Sequence, residues 1–415
     1  MTSGPKGMAA SRQWPVDAVS LVPQWVYTDP EIYQRELERI FYGPHWCYVG
    51  LEAEIPAPGD FKETRLGERS VIVVRDLDGT INVVQNKCAH RGVQFCQQSR
   101  GTVREFICPY HQWNYDLKGR LIGLPFKRGL RGAGGMPPDF RLEDHGLKAL
   151  RVATRHGVIF ASFDPDTPQL ASYLGEDMLH YFDRVFDGRK LALLGVSRQR
   201  IPANWKLMLE NIKDPYHPGL LHTWFVTFGL WRADQTSQMV MDATGRHACM
   251  ISRRNEGGSS EATLGVSSFR EGMVLNDARL LDIVAEPWWQ GPTVVMQTIF
   301  PNLIVQQQVN SLSTRHIQPR GSNAFDFVWT HFGFADDDAG MTQRRLRQAN
   351  LFGPAGFVSA DDGEVIEFSQ QGFREDDSGY SVCQLGGHEV GGTDHMVTET
   401  LLRGMYRYYR KVMQI

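Results

Sequence analysis

Residues 86–92 read Asn-Lys-Cys-Ala-His-Arg-Gly, and residues 108–114 read Cys-Pro-Tyr-His-Gln-Trp-Asn. Each stretch holds one Cys and one His: Cys88-x-His90 and Cys108-x-x-His111. The surroundings are β-rich. SVIVVRD (70–76) and INVVQN (81–86) flank Asp78-Gly79, a hairpin signal. REFICPYH (104–111), YDLKGRLIG (115–123) and GVIFASFD (157–164) continue the pattern. Residues 46–165 therefore read as a small antiparallel β domain. Two of its turns, each at a strand end, bring four donor side chains to one place.

The mixed donor set points to iron. Two thiolates on one iron and two neutral imidazoles on the other hold a Rieske [2Fe–2S] cluster. Exchanging two thiolates for imidazole removes negative charge and raises the reduction potential, giving a one-electron relay. A structural Cys2His2 zinc site uses the same donors, but usually pairs Cys with Cys and His with His along the chain. Cys47, Cys96, Cys249 and Cys383 lack such pairing and read as small buried apolar residues.

A second cluster lies in Glu210-Asn211-Ile-Lys-Asp214-Pro-Tyr-His217-Pro-Gly-Leu-Leu-His222. Residues five apart do not share a helix face. Pro215, Pro218 and Gly219 break the helix, so both imidazoles can turn to one metal. Asp214 precedes His217 by three and is expected beside it on the same face. Two His and one carboxylate with open positions form the facial triad of non-haem Fe(II) oxygenases. The carboxylate is expected from Asp361 or Asp362, in FGPAGFVSADDGEVIEF (352–368), a helical stretch.

The remaining pattern sets the class. Asp29-Pro30 starts a helix with Tyr33, Leu37, Ile40 and Phe41 on one stripe. VVMQTIF (294–300), LIVQQQVN (303–310), STRHIQP (313–319) and FDFVWTHFGF (325–334) read as longer antiparallel strands. A final helix is expected from Asp394 to Met413, with Val397, Leu401, Met405, Tyr408 and Val412 as its stripe. Strands and helices are segregated, so the class is α+β. The chain has 415 residues, 42% hydrophobic and 22% charged, which excludes disordered and fibrous classes. Forty-four basic against 47 acidic side chains give no excess that would draw nucleic acid or an anionic membrane. No apolar run approaches the roughly 18–20 residues of a membrane span. The opening MTSGPKGMAASRQW lacks a secretory stretch. A cytoplasmic protein is expected, and there spaced Cys and His serve metals rather than disulfides.

Together the motifs resemble the large (alpha) subunit of Rieske non-haem iron ring-hydroxylating oxygenases, over nearly the whole chain. HWCYVGLEAEIPAPGDF (45–61), CPYHQWNYDLKG (108–119), NWKLMLENIKDPYHPGLLHTWFVTFGLWRAD (204–234), FVWTHFGF (327–334), LFGPAGFVSADDGEVIE (351–367) and TDHMVTETLLRGMY (393–406) are similar to the branch that 5-hydroxylates salicylate. The resemblance implies a Rieske domain (46–165) inserted between an N-terminal helical part (1–45) and the rest (166–415) of a helix-grip catalytic domain. It implies Cys88 and Cys108 on one iron and His90 and His111 on the other. It implies His217, His222 and Asp362 on a mononuclear Fe(II), with Asp361 as fallback, and Asp214 as a bridge. In the family's trimers that bridge runs from His111 of one copy through Asp214 to His217 of the next. Asn211 and Asp214 are separated by two residues, where several relatives acting on hydrocarbons have three, a change near the pocket wall.

The implied partners are a small (beta) subunit in an alpha3beta3 assembly, a ferredoxin, an NADH-dependent reductase, O2 and a small aromatic acid. The implied reaction is salicylate to gentisate; cis-dihydroxylation of benzoate, anthranilate or a hydrocarbon is the alternative. A buried substrate carboxylate needs donors: Asn211, Gln306, Gln308, Arg315 and His316 are candidates, with Met208, Phe352 and Val358 as apolar lining. Alternation puts Gln306 and Gln308 on one face. A bare electron carrier would need only about 100–120 residues and leaves His217, His222 and Asp362 without a role.

Overall fold

The computed structural model describes residues 12, 14–15, 19–228, 230–231, 234–254 and 272–415. Helix Pro30–Glu36 begins where the sequence signals it. The Asp29 side chain accepts from Glu31 N and Ile32 N, and Pro30 fills the first turn. Tyr33, Leu37, Ile40 and Phe41 are all buried.

The β domain stacks small antiparallel sheets. One contains Asp60–Leu66, Arg69–Arg75, Ile81–Gln85 and Arg100–Thr102; another Phe106–Ile107, Asn114–Tyr115 and Leu121–Gly123; a third Cys47–Leu51, Arg151–Arg155 and Val158–Ser162. The Asp78-Gly79 hairpin is present, with Gly79 at φ 88°, a turn conformation that glycine adopts without strain. Its core gathers Phe61, Ile72, Val74, Val84, Phe106 and Tyr115 around the two cysteines.

The catalytic half is one antiparallel sheet, ordered Leu191–Ile201, Phe325–Phe334, Ser311–Pro319, Leu303–Gln308, Val294–Ile299, Ala248–Ser252, Ser237–Met241. Strands Ser311–Pro319 and Phe325–Phe334 are buried along their whole length, because both faces are covered. Alternation sorts the side chains. Met296, Ile304, Ile317, Phe327 and Trp329 belong to a core shared with helix Trp205–Lys213 and helix Thr400–Met413. Val295, Leu303, Val305, Leu312 and Phe332 face helices Leu170–Leu174 and Glu176–Val185. Helix Trp205–Lys213 lies across the sheet and also touches the 19-residue helix Phe357–Glu375. Sheet, gripped helix and β domain together form the expected α+β helix-grip arrangement.

Two local expectations need correction. The last helix starts at Thr400, six residues late, because Thr393 is pulled to the sheet edge by reciprocal backbone bonds with Met239 (2.7 and 3.1 Å). Of the expected stripe Leu401 and Met405 are buried, Tyr408 and Val412 partly so, and Val397 is exposed; Leu402, Tyr406, Tyr409 and Met413 are buried beside them. Helix Trp205–Lys213 stops before Asp214, which is extended (φ −99°, ψ 100°) as a residue preceding proline prefers. Asp214 and His217 therefore meet across a turn, not along one helix face. No helix among the described residues is long and apolar enough to cross a membrane.

Candidate metal centres

The first Cys/His turn leaves strand Ile81–Gln85 and closes with Cys88 N donating to Val93 O (2.8 Å) and Gly92 N to Cys88 O (2.8 Å). The second closes with Cys108 N to Trp113 O and Gln112 N to Cys108 O, both 2.9 Å. The two turns sort their donors. Cys88 and Cys108 are buried; His90 and His111 are half-buried, with ring centroids 4.6 Å apart. The His90 ring stacks on Trp113 at 4.8 Å, and the Tyr115 hydroxyl lies 3.2 Å from Cys88 Sγ. Burial, and the adjacent Cys88 thiol, push the Cys108 thiol up. Burial and the nearby His111 and Arg91 lower His90, keeping it neutral as a metal ligand must be. His90 Nδ1 is buried without any hydrogen-bond partner. A bare buried pair of thiolates is unfavourable, and cationic iron offsets that charge. A pair of thiols, a pair of imidazoles and an orphaned ring nitrogen fit a Rieske cluster.

The second centre is assembled from three elements. Asp214 caps the end of helix Trp205–Lys213, its carboxylate accepting from Tyr216 N and His217 N at 3.2 Å each. His217 precedes the short helix Pro218–Leu221, and His222 follows it. The helix Phe357–Glu375 supplies Asp361 and Asp362. His217, His222 and Asp362 place one donor atom each within 4.8 Å of one another, the one such group of three among the described residues. The Asp362 Oδ1 lies 3.4 Å from His217 Nε2 and 3.2 Å from His222 Nε2. The outer nitrogens are already engaged: His217 Nδ1 donates to Asp214 O (2.8 Å), and His222 Nδ1 lies 3.1 Å from Asp361 Oδ2. The structure thus separates the adjacent acids. Asp362 faces both inner nitrogens; Asp361 orients His222, the role of a carboxylate behind a metal-bound imidazole.

Electrostatics agree with a cation site. Burial disfavours charge on His217, but hydrogen bonds to Asp214 and Asp362 outweigh it and raise the ring to about 10. Burial likewise opposes ionised Asp362, yet the His217 and His222 rings hold it well below the usual carboxylate range. A metal ion would take the place of those ring protons. Asn211 Nδ2 donates to Asp362 Oδ1 (3.0 Å), while Asn211 Oδ1 is buried and unpartnered.

A cleft opens beside this triad. Asn211, Asp214, Gln308, Arg315 and Val358 line it. The other pocket candidates do not. Met208 is packed into the main core. Phe352 sits one layer back against Phe225. Gln306 shares the face of Gln308 but is spent on it (2.6 Å), on Ser313 and on the Arg315 guanidinium. His316 points through the opposite sheet face, held by Asn302 (2.9 Å) and Gln318 (3.2 Å). Sequence reading missed Gln235, Met250, Ser252, Val294 and Met296, which also line it. Cross-strand register places Ser252, Val294 and Gln308 in one row, a relation carried by no single stretch of sequence. Among the unassigned cysteines, Cys47, Cys249 and Cys383 are buried and Cys96 is half-buried.

Residues 177–415 match the family described as Ring hydroxylating alpha subunit (catalytic domain), and residues 45–133 match the Rieske [2Fe-2S] domain. The chain is 66% identical over 406 residues to the salicylate 5-hydroxylase large oxygenase component of Ralstonia sp., covering 97% of this chain and 96% of that one. It is 41% identical to the anthranilate 1,2-dioxygenase large subunit of Burkholderia cepacia, covering 98% and 96%. The fold matches naphthalene 1,2-dioxygenase from Rhodococcus sp. bound to indole, with a TM-score of 0.79 at 24% identity over 95% of this chain and 94% of that one. The chain belongs to the ring-hydroxylating alpha-subunit family: it is the large subunit of a Rieske non-haem iron oxygenase, with a Rieske [2Fe–2S] domain ahead of its catalytic domain.

Proposed function

We propose that this subunit hydroxylates an aromatic carboxylic acid, and specifically converts salicylate to gentisate. The observation that carries the reading is Arg315. Its guanidinium lines the cleft, is almost wholly buried, and has no carboxylate within ion-pair distance among the described residues. It bonds Gln306 Oε1 and lies 3.8 Å over the Trp329 ring. A buried cation without a counter-ion is unfavourable. A substrate carboxylate, received by Arg315 and Gln308, supplies that counter-ion. The 66% identity to a salicylate 5-hydroxylase component points to the same substrate.

Cys88 and Cys108, with His90 and His111, hold the cluster in this reading, and His217, His222 and Asp362 hold the mononuclear Fe(II). The bound iron centres supply one-electron transfer and oxygen activation. The protein's residues do the rest. Arg315 and Gln308 anchor the acid, and Phe225, Leu230, Met250 and Met296 keep water from the ring. Asp214, fixed by two backbone amides and half-buried, can receive a hydrogen bond from His111 of a second copy, whose imidazoles stand at the tip of the β domain. One oxygen atom enters the ring and the other leaves as water, with two electrons and two protons consumed. The electrons originate in NADH and arrive through a reductase and a ferredoxin. A small (beta) subunit in an alpha3beta3 assembly belongs to the same reading; the relative's designation as a large component supports it. So does the division into a Rieske domain at 46–165 and catalytic parts at 1–45 and 166–415.

The 41% relative named as an anthranilate 1,2-dioxygenase favours one second reading, cis-dihydroxylation of anthranilate or benzoate. Turnover of salicylate, benzoate and anthranilate by the reconstituted oxygenase with its redox partners separates them. Gentisate is the expected product; a diol or catechol from a preferred benzoate or anthranilate overturns the proposal.

A further inference from the structure

The polar groups of the cleft wall fall in three places: the triad with its neighbours Asn211 and Asp214, the Arg315–Gln308 corner, and the pair Gln235 and Ser252. The third has no role in holding metal or carboxylate. Both residues are buried, each 7% exposed. Buried polar groups cost free energy unless they are hydrogen-bonded. Ser252 Oγ donates to Gln235 Oε1 at 3.3 Å. No other hydrogen bond of the Gln235 side chain is seen among the described residues. In this arrangement the acceptor oxygen is occupied and the two N–H donors are left for a ligand.

The register ties this pair to the carboxylate corner. Ser252 is opposite Val294, and Val294 is opposite Gln308, in one cross-strand row on the cleft face. Two strand spacings, roughly 9–10 Å, separate the backbones of Ser252 and Gln308, so long amides reaching inward from both sides meet one ring. The triad is carried by helices packed over the sheet; Ser252, Gln308 and Arg315 lie on the sheet itself, and Gln235 in the bend just before strand Ser237–Met241. A ring whose reacting edge faces the triad therefore turns its substituents toward the sheet.

We propose that Gln235, oriented by Ser252, reads an acceptor substituent on the ring next to the carboxylate, and so selects a hydroxy acid over an amino acid or an unsubstituted acid. This rests on the aromatic-acid reading above. The hydroxyl of salicylate donates a hydrogen bond to its adjacent carboxylate, and its oxygen is left to accept from Gln235. The amino group of anthranilate presents N–H donors and a delocalised lone pair, so donor meets donor. Benzoate presents nothing and leaves the amide unpaired. An unsatisfied buried donor costs enough to shift affinity by roughly ten- to a hundredfold.

Calorimetric binding of salicylate, anthranilate and benzoate to the loaded oxygenase, with parallel product analysis, tests it. Gln235→Leu is expected to reduce the salicylate-to-benzoate affinity ratio by roughly tenfold or more. Ser252→Ala frees the amide to turn over and is expected to narrow the salicylate-to-anthranilate ratio. Visible absorbance of the cluster verifies that both variants are folded. Equal losses on all three acids, or unchanged ratios, overturn the inference. If the unsubstituted protein binds none of the three, the aromatic-acid reading itself fails.

Discussion

At the tip of the β domain, four donors come from residues 88–111, two turns within one short stretch. In the catalytic half, His222 and Asp362 are 140 positions apart and meet because two helices pack over one sheet. The turn-built region sorts its donors by burial, thiols inside and imidazoles half-exposed. The helix-built region sorts them by atom, every inner Nε2 toward Asp362 and every outer Nδ1 toward an oxygen of Asp214 or Asp361. Local turns can place ligands without help from the rest of the fold. A site made from remote helices needs outer partners to aim each ring, and those partners are then exposed to mutation in a way the turns are not.

The sharpest break between the regions is metal loading. Asp362→Ala removes the carboxylate of the triad, and iron analysis with cluster absorbance should show the mononuclear metal lost, turnover abolished and the cluster intact. Cys88→Ser should do the reverse, leaving about one iron atom of three per chain. Loss of both metals in either variant would mean the regions are not independent. Asp214→Ala should leave both sites loaded yet nearly abolish turnover; full activity with both sites loaded removes the bridge. Next in size, Asp361→Ala frees His222 Nδ1 and should weaken metal affinity by roughly 10–100-fold, measured by chelator competition. Unaltered affinity would mean that the ring needs no outer partner.

The smallest effect tests packing inside the catalytic half, between helices Trp205–Lys213 and Thr400–Met413. Burial raises Glu210, which accepts from the Tyr406 hydroxyl, to about 7. A carboxyl whose folded value is raised stabilises the fold below its unfolded value near 4.5, and that contribution disappears as pH rises through about 7. Glu210→Gln should therefore gain on the unsubstituted protein by a few degrees in melting temperature between pH 5 and 7. A constant difference across that range contradicts the buried, protonated state.

Hairpins, the first helix and the donor pairs were legible because each depends on neighbours in the chain. Asp78-Gly79 turns wherever it stands between β-branched runs, and Asp29 caps the residues directly after it. The end of the Trp205–Lys213 helix was misplaced by Asp214, since helical spacing alone ignored what Pro215 does to the residue before it. His316 and Arg315 looked equally fit to receive a carboxylate, and one-residue alternation sent them through opposite faces of the sheet.

The order of residues by itself determined which atoms can bind metal, where the turns fall and that strands and helices are segregated, because donor chemistry and turn propensity are local. Tertiary packing alone decided that Asp362 and not Asp361 faces the two histidines, that Arg315 is buried with no carboxylate at ion-pair distance among the described residues, and that Gln235 and Ser252 share a wall with Gln308. Those relations depend on helix rotation and strand register, which are set by burying whole faces and not by any single stretch of chain.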